Sequence, residues 1–282
     1  MHCKARDKIK IVLKEREKIS IRETSASYWD EIIATKRERL RLDAWRRYMK
    51  WIYESLVQRW FERGESRVAL KTDLFEEACS RYPVLPLLGN RGIGFDYSLQ
   101  IARNAKENNS ACSVIVCDLR KLPFPSSTIE QILSPSSLDH FSDSSEIDVA
   151  LAEIGRVLKP DGVLIISLDN LQNPIVWIRN HLPISWLSRI GLVPYYVGPT
   201  CTANEAKEKV RKAGMEVTHC LAVSHVPRAP AIWLVMLAEA LGSTRMGDWL
   251  SKHFEKWEVL QRFPVSFLTG YYFAIRAVKC PS

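Results

Sequence analysis

Between Arg67 and Leu168 the chain alternates short aliphatic runs with helical segments, and this rhythm constrains its fold more than any other feature. The runs are Arg67–Thr72, Gly92–Asp96, Ser113–Cys117, Ile129–Ser134 and Gly162–Leu168. Runs of this length, separated by stretches long enough for a crossover helix, specify a parallel sheet. Helices are expected at Leu74 to about Leu88, Leu99–Asn108 and Glu146–Leu158. After the fifth run the rhythm loosens at Asn173-Pro174, Leu182-Pro183 and Gly191–Tyr196, and Asn204–Ala213 then reads as a helix closed by Gly214. Glu216–His225 and Phe267–Val278 read as two more strands, with a helical pair, Ala231–Leu241 and Met246–Gln261, between them. The expectation is an α/β fold on a seven-stranded, mostly parallel sheet with helices on both faces.

The region before Arg67 has a different character. Residues 1–27 are charged and lack a clean period, whereas Tyr28-Trp29-Asp30 opens a helical stretch to about Glu62, ended by Gly64. Two units follow: a basic arm with a helical extension over 1–62, and an α/β domain over 63–282 with a helical insertion at about 229–262. The formal net charge is +8, and residues 1–50 carry 15 Lys/Arg against 8 Asp/Glu, so +7 of it lies there. Clustered cations attract phosphates non-specifically. From Trp45 to Trp60, however, large apolar residues recur at three- and four-residue steps, which describes a buried stripe with a solvated charged face opposite. A nucleic-acid partner is therefore possible but not favoured. The seven cysteines are scattered with no CxxC or Cys/His ligand spacing, so neither a disulfide framework nor a metal site is expected. Charges from Lys4 to Arg22 interrupt any secretory h-region, which leaves a reducing cytoplasm as the expected location. The longest apolar stretch, Ala229–Ala238, is far short of the roughly 20 residues that span a bilayer.

Two successive strands close on a carboxylate, Asp96 in Gly-Ile-Gly-Phe-Asp-Tyr-Ser and Asp118 in Val-Ile-Val-Cys-Asp-Leu. In an open α/β sheet, ligands bind outside the carboxyl ends of the strands. Carboxylates there can accept the hydroxyls of a ribose and the amino group of an adenine, so an adenosine-containing cofactor fits. Alternatively, each Asp simply caps the turn that follows it.

These segments resemble the class I S-adenosylmethionine-dependent methyltransferases. Gly92–Ser98 is similar to that family's second-strand motif and Cys117-Asp-Leu-Arg-Lys-Leu-Pro-Phe to its adenine-binding turn. Ile129–Phe141 is similar to its fourth strand and loop, and Glu153-Ile-Gly-Arg-Val-Leu-Lys-Pro-Asp-Gly-Val-Leu-Ile-Ile-Ser to its helix-turn-fifth-strand signature. The resemblance implies a Rossmann-like class I methyltransferase fold with an N-terminal helical extension, and S-adenosylmethionine as cofactor. Asp96 takes the ribose role, with Tyr97 beside it; Asp118 and Leu119 take the adenine role, and Ser134 ends the fourth strand. One departure stands out: the glycine-rich loop after the first strand is replaced by Val68-Ala-Leu-Lys-Thr-Asp-Leu-Phe-Glu-Glu-Ala78. The resemblance extends to methyltransferase-like sequences with Leu-Lys-Thr-Asp-Leu-Phe at this position, which implies either a trait of that subset, with Thr72 and Asp73 holding the cofactor's ammonium and carboxylate, or a loop that has lost the cofactor.

Methyl transfer needs mainly orientation for an in-line displacement. His140, after the fourth strand, is the candidate base for a hydroxyl acceptor, or else it merely starts the next connection. Asn170, Trp177, Tyr195, Tyr196 and His225 are candidate acceptor-binding residues, and the aromatic content after the fifth strand suits an apolar or flat substrate. The same aromatics could be ordinary core, or could rest with the basic arm on a membrane holding a lipid-linked acceptor. The expected activity is S-adenosylmethionine-dependent methylation of a small-molecule or lipid-linked acceptor, with oxygen slightly favoured. A non-catalytic methyltransferase-like binding or scaffold protein and an RNA-modifying methyltransferase are the rivals. A nicotinamide enzyme is disfavoured because Gly-x-Gly-x-x-Gly is missing after the first strand. The Ser134-Pro-Ser-Ser137 run stands where Asn-Pro-Pro-Tyr would mark DNA or glutamine N-methyltransferases.

Overall fold

The structure is a computed structural model and describes residues 25–36, 42–62, 67–182, 198 and 200–281. Seven strands form one sheet: β1 (Ala69–Thr72), β2 (Gly92–Asp96), β3 (Ser113–Val116), β4 (Ile129–Pro135), β5 (Leu158–Asp169), β6 (Met215–Val223) and β7 (Tyr272–Lys279). Their order is β3-β2-β1-β4-β5-β7-β6. The pairs among β1 to β5 are parallel, and β7 runs antiparallel to both neighbours. The strand order reverses between β1 and β4, so the carboxyl ends of β1, β2 and β4 surround the crevice where such sheets bind ligands.

Alternate residues of a strand face opposite sides of the sheet. Along β5, Val163 and Ile165 enter one core while Leu164, Ile166 and Leu168 enter the other. The second core is closed by α5 (Ser144–Val157), through Ile147, Leu151 and Ile154, and by α7 (Ala203–Lys212), through Ala206 and Val210. The first core gathers α1 (Ala26–Lys36), α2 (Asp43–Trp60), α4 (Leu99–Asn108), α8 (Arg228–Ala240) and α9 (Thr244–Trp257). Tyr48, Ile52 and Leu56 of α2 are fully buried there. The apolar stripe expected from Trp45 to Trp60 is thus packed on the sheet, and among the described residues the helical stretch before β1 forms α1 and α2. Gly64, expected as its stop, lies outside the described residues.

The helix expected from Leu74 to about Leu88 is broken. α3 (Phe75–Cys79) ends after five residues, and a 3-10 turn follows at Leu85–Leu88. Pro83 and Pro86 lack the N–H groups a continuous helix would need, and the buried Glu77 carboxylate takes the Val84 and Leu85 N–H groups at 2.9 and 2.7 Å. Gly94 of β2 leaves room for this region, because a Cβ there would meet the Leu74 and Leu85 side chains at 2.5 and 2.8 Å. The last strand also starts later than expected: Phe267 lies on a short helix, α10 (Ser266–Thr269), and β7 begins at Tyr272.

Candidate cofactor and acceptor site

β1 delivers Lys71, Thr72 and Asp73 to the crevice. Asp73 has φ of 63°, the left-handed conformation that a glycine would adopt freely. Aspartate tolerates it because its side chain can bond locally, and here Oδ1 accepts the Phe75 N–H at 2.7 Å. A buried ion pair underpins the turn. The Lys71 ammonium donates to the Asp73 carbonyl and, at 2.9 Å, to Glu77 Oε2, and both side chains are fully buried. Burial alone would lower the Lys71 pKa, but the Glu77 and Asp73 carboxylates outweigh it and hold the ammonium above its usual range. Thr72 Oγ1 donates to Ser134 Oγ at 2.9 Å and touches Ser137 Oγ, which ties the ends of β1 and β4 together.

β2 ends in Asp96, whose two oxygens accept the Leu74 and Ser98 N–H groups, both at 2.8 Å. Burial, reinforced by the neighbouring Asp73 carboxylate, pushes Asp96 up to about 7. At the end of β3, Asp118 accepts the Arg120 backbone N–H at 2.8 Å and its guanidinium on both oxygens, at 2.6 to 3.1 Å. Burial works against ionisation of Asp118, but these bonds outweigh it and hold the carboxyl below its ordinary range. Arg120 also pairs with Glu146 and lies over the Phe141 ring.

Thr72, Asp73, Asp96, Tyr97, Asp118, Leu119 and His140 all line one cavity of about 220 Å³. Asp73 and Asp96 line it together, while the Lys71 ammonium is turned to Glu77. Once ionised, these carboxylates suit a ligand with cationic centres, and Asp96 retains acceptor capacity for hydroxyls. The residues therefore fit S-adenosylmethionine, with its sulfonium and ammonium groups and its ribose. Much of the remaining lining is aromatic and apolar. Trp29 of α1, Trp45, Met49 and Tyr53 of α2, Ile232 of α8 and Tyr272 contribute to it, together with the Arg46–Glu76 pair and Arg228. The Trp29 ring meets His140 edge-on at 4.9 Å and Phe75 at 6.3 Å.

Other expected site residues do something else. Ser134 sits buried behind Thr72. Asn170 is fully buried, and its amide donates to the Phe267 and Gly270 carbonyls at 2.6 and 2.9 Å, bracing the entry to β7. His225 is buried between Thr269 Oγ1, 2.7 Å from Nδ1, and the Ala222 carbonyl, 3.2 Å from Nε2; burial lowers its pKa. Trp177 stands exposed on α6 (Pro174–His181), stacked on His181 at 4.1 Å. None of these four lines the cavity, and Tyr195 and Tyr196 lie outside the described residues. The aromatic side of the cavity is instead built by α1, α2 and α8. Its one advance signal was the density of Trp, Tyr and Met along Trp45–Trp60, which reads equally as plain core.

A family model described as a methyltransferase domain matches residues 78–166. An uncharacterized protein of Methanocaldococcus jannaschii is 29% identical over 168 residues, 59% of this chain and 58% of that protein. The mitochondrial arginine-hydroxylase NDUFAF5 of Rattus norvegicus is 26% identical over 140 residues, 48% of this chain and 40% of that protein. The chain thus spans only about half the length of these relatives. Among solved structures, a chain of the complex between the Haloferax volcanii Trm112 methyltransferase activator and a methyltransferase superposes with a TM-score of 0.57 at 16% identity. That match covers 92% of this chain and 98% of the other. With its strand order and its reversed β7 the chain has the class I S-adenosylmethionine-dependent methyltransferase fold, and its stretch from α3 to β5 matches a methyltransferase-domain model.

Proposed function

We propose that the chain transfers a methyl group from S-adenosylmethionine to a small-molecule or lipid-linked acceptor. The observation that carries this reading is the convergence of Asp73, Asp96 and Asp118, from three adjacent strand ends, on one cavity whose opposite wall is aromatic. Asp96 accepts the ribose hydroxyls, the Thr72–Asp73 turn holds the amino-acid end, and Asp118 and Leu119 border the adenine. When bound, the cofactor supplies an electrophilic methyl group. The protein's own contribution is orientation: Trp29, Trp45, Met49 and Tyr53 exclude water and hold an apolar acceptor against that group. His140 lines the same cavity and takes the proton of a hydroxyl acceptor, which keeps oxygen the favoured acceptor atom. A reducing, cytoplasmic setting is part of this proposal and rests on the scattered cysteine spacing of the sequence.

One observation favours the non-catalytic reading, namely the grip of Arg120 on both oxygens of Asp118, which competes with an adenine amino group. The arginine-hydroxylase relative likewise carries a different named activity, and one fold hosts many chemistries. Calorimetric titration with S-adenosylmethionine and S-adenosylhomocysteine, with NAD as control, separates these readings. Binding of the first two and not of NAD supports a working donor site. No heat from any of them overturns the methyltransferase reading, and saturable binding of RNA with a steep salt dependence would move the acceptor to nucleic acid.

A further inference from the structure

α6 leaves the end of β5 at the same edge of the sheet as the cavity. It buries only Val176, while Ile175, Trp177 and Ile178, and Leu182 just beyond, are 42 to 53% exposed. The segment that leads into β7 does the same: Phe263, Val265 and Leu268 are 51 to 54% exposed. The two segments are held side by side. Asn173 caps α6 by accepting the Ile175 N–H at 2.9 Å, and its amide donates to the Thr269 and Gly270 carbonyls at 3.1 and 3.2 Å. Soluble proteins rarely leave so many large apolar side chains exposed on neighbouring segments without a use.

Charge narrows the partner. The sequence has no Asp or Glu from Asn170 to Asn204, nor from Val259 to Ser282. Exposed Arg262 and the imidazole of His181 sit among the apolar side chains instead. Aliphatic and aromatic groups with an arginine among them and free of acids suit the headgroup boundary of an anionic bilayer. The hairpin of α8 and α9 also exposes Trp233, Leu241 and Trp249, but mixes Glu239, Asp248 and Glu255 with Arg245, Lys252 and Lys256, so it lacks the acid-free character of the other face. No helix among the described residues is long and apolar enough to cross a membrane, so contact would be with one leaflet. The face also adjoins the cavity. Arg179 of α6 donates to the Tyr271 hydroxyl at 2.9 Å, and Arg228, which lines the cavity, lies 4.8 Å over the same ring.

We infer that the face formed by α6 and Phe263–Leu268 docks on an anionic lipid bilayer and sets the neighbouring cavity against the membrane. The inference goes beyond the methyltransferase reading and does not depend on it. It is tested by sedimenting the full chain with phosphatidylcholine vesicles, with and without phosphatidylglycerol. The comparison is with a double variant, Ile178→Asp with Leu268→Asp, at two exposed positions. Losing two inserted aliphatic side chains should weaken binding to the doped vesicles at least about tenfold. Trp177→Phe, a milder change, should remove part of the fluorescence blue shift on vesicle addition. Three results overturn the inference: no binding by the wild-type chain to either vesicle; equal binding by the double variant, which would assign contact to the basic arm; or a concentration-dependent dimer, abolished by the double variant, in place of vesicle binding. Cofactor calorimetry and a thermal melt on the same samples show whether the variant is folded and keep a failed cofactor reading separate from a failed docking surface.

Discussion

Asp73 carries a left-handed φ that costs a non-glycine residue about 1–2 kcal/mol, and the Lys71–Glu77 pair below it offsets that cost by bonding the turn's carbonyl and the backbone after α3. Removing one partner of such a pair strands the other charge. Lys71→Met should therefore destabilise the fold by about 3–5 kcal/mol, and adding Glu77→Gln should recover part of the loss. Denaturant unfolding of the two variants decides it; a single variant within about 1 kcal/mol of wild type would show that the pair is not what holds the turn. Asp96 yields a second test, with two opposite pH trends. Its folded pKa of about 7 lies above the ordinary carboxylate value near 3.9. The unliganded fold thus binds more protons than the unfolded chain between these values, and this group's contribution to stability falls as pH rises toward about 7. Ribose hydroxyls and a cationic cofactor favour the ionised carboxylate, so affinity for S-adenosylmethionine should rise with pH up to about 7 and level off, with up to about tenfold gained per pH unit. Titrations across that range, in buffers of different ionisation enthalpy, should detect a released proton, and Asp96→Asn should flatten the slope.

Asp30 ties α1 to the start of α4 beside the site. Asp30 accepts the Ser98 hydroxyl and the Gln100 N–H, at 3.1 Å, at the start of α4, while Ser98 Oγ caps that helix at Ile101 N. This anchor places Trp29 over His140. In Asp30→Ala, α4 keeps its own cap, so the melting temperature should change little, whereas cofactor affinity should drop by about ten- to a hundredfold if the anchor is worth the roughly 1.5–3 kcal/mol of a charge-assisted bond. Hydrogen exchange should accelerate in 26–36 and not in the strands; unchanged affinity together with faster exchange would remove α1 from the site. At this scale the sequence was most informative where one physical cause dominates. Aliphatic runs bounded by turns located the strands, and Asp96 and Asp118 were legible because a strand end is a fixed place in this topology. The break after Cys79 was hidden because it depends on a buried Glu77 taking distant N–H groups. Asn170 and His225 were misplaced for a similar reason: their residue types suit a pocket or a buried turn equally, and only packing shows that both brace the turn before β7. The aromatic roof was written in the stripe of α2, where core and cavity lining share one pattern.

For the whole molecule, the division between the helices before β1 and the sheet domain matters most. The family match begins at residue 78, which invites the view that the sheet folds alone. The packing argues otherwise, since Tyr48, Ile52 and Leu56 of α2 share one core with Leu74, Ile165, Val235 and Tyr272. The Tyr48 hydroxyl bonds Glu258, whose carboxylate also takes the His225 N–H at 3.0 Å, and Tyr53 reaches Ser167 of β5 at 3.1 Å. Without α2, one face of β1, β4 and β5 would be stripped of cover, and each large core side chain lost costs about 2–5 kcal/mol. Three such losses rival the whole stability of an ordinary domain, about 5–15 kcal/mol. A chain beginning at residue 63 should therefore lack a cooperative melt, bind a hydrophobic dye and bind no cofactor. Leu56→Ala in the full chain, a single-cavity change, should melt cooperatively at a lower temperature. If instead the shortened chain melts cooperatively within a few degrees of the full one, α2 is an appended element and the cavity roof it builds is separable from the fold. If the shortened chain fails and Leu56→Ala behaves as expected, the same helix completes both the core and the acceptor wall, and any change to that wall is also a change in stability.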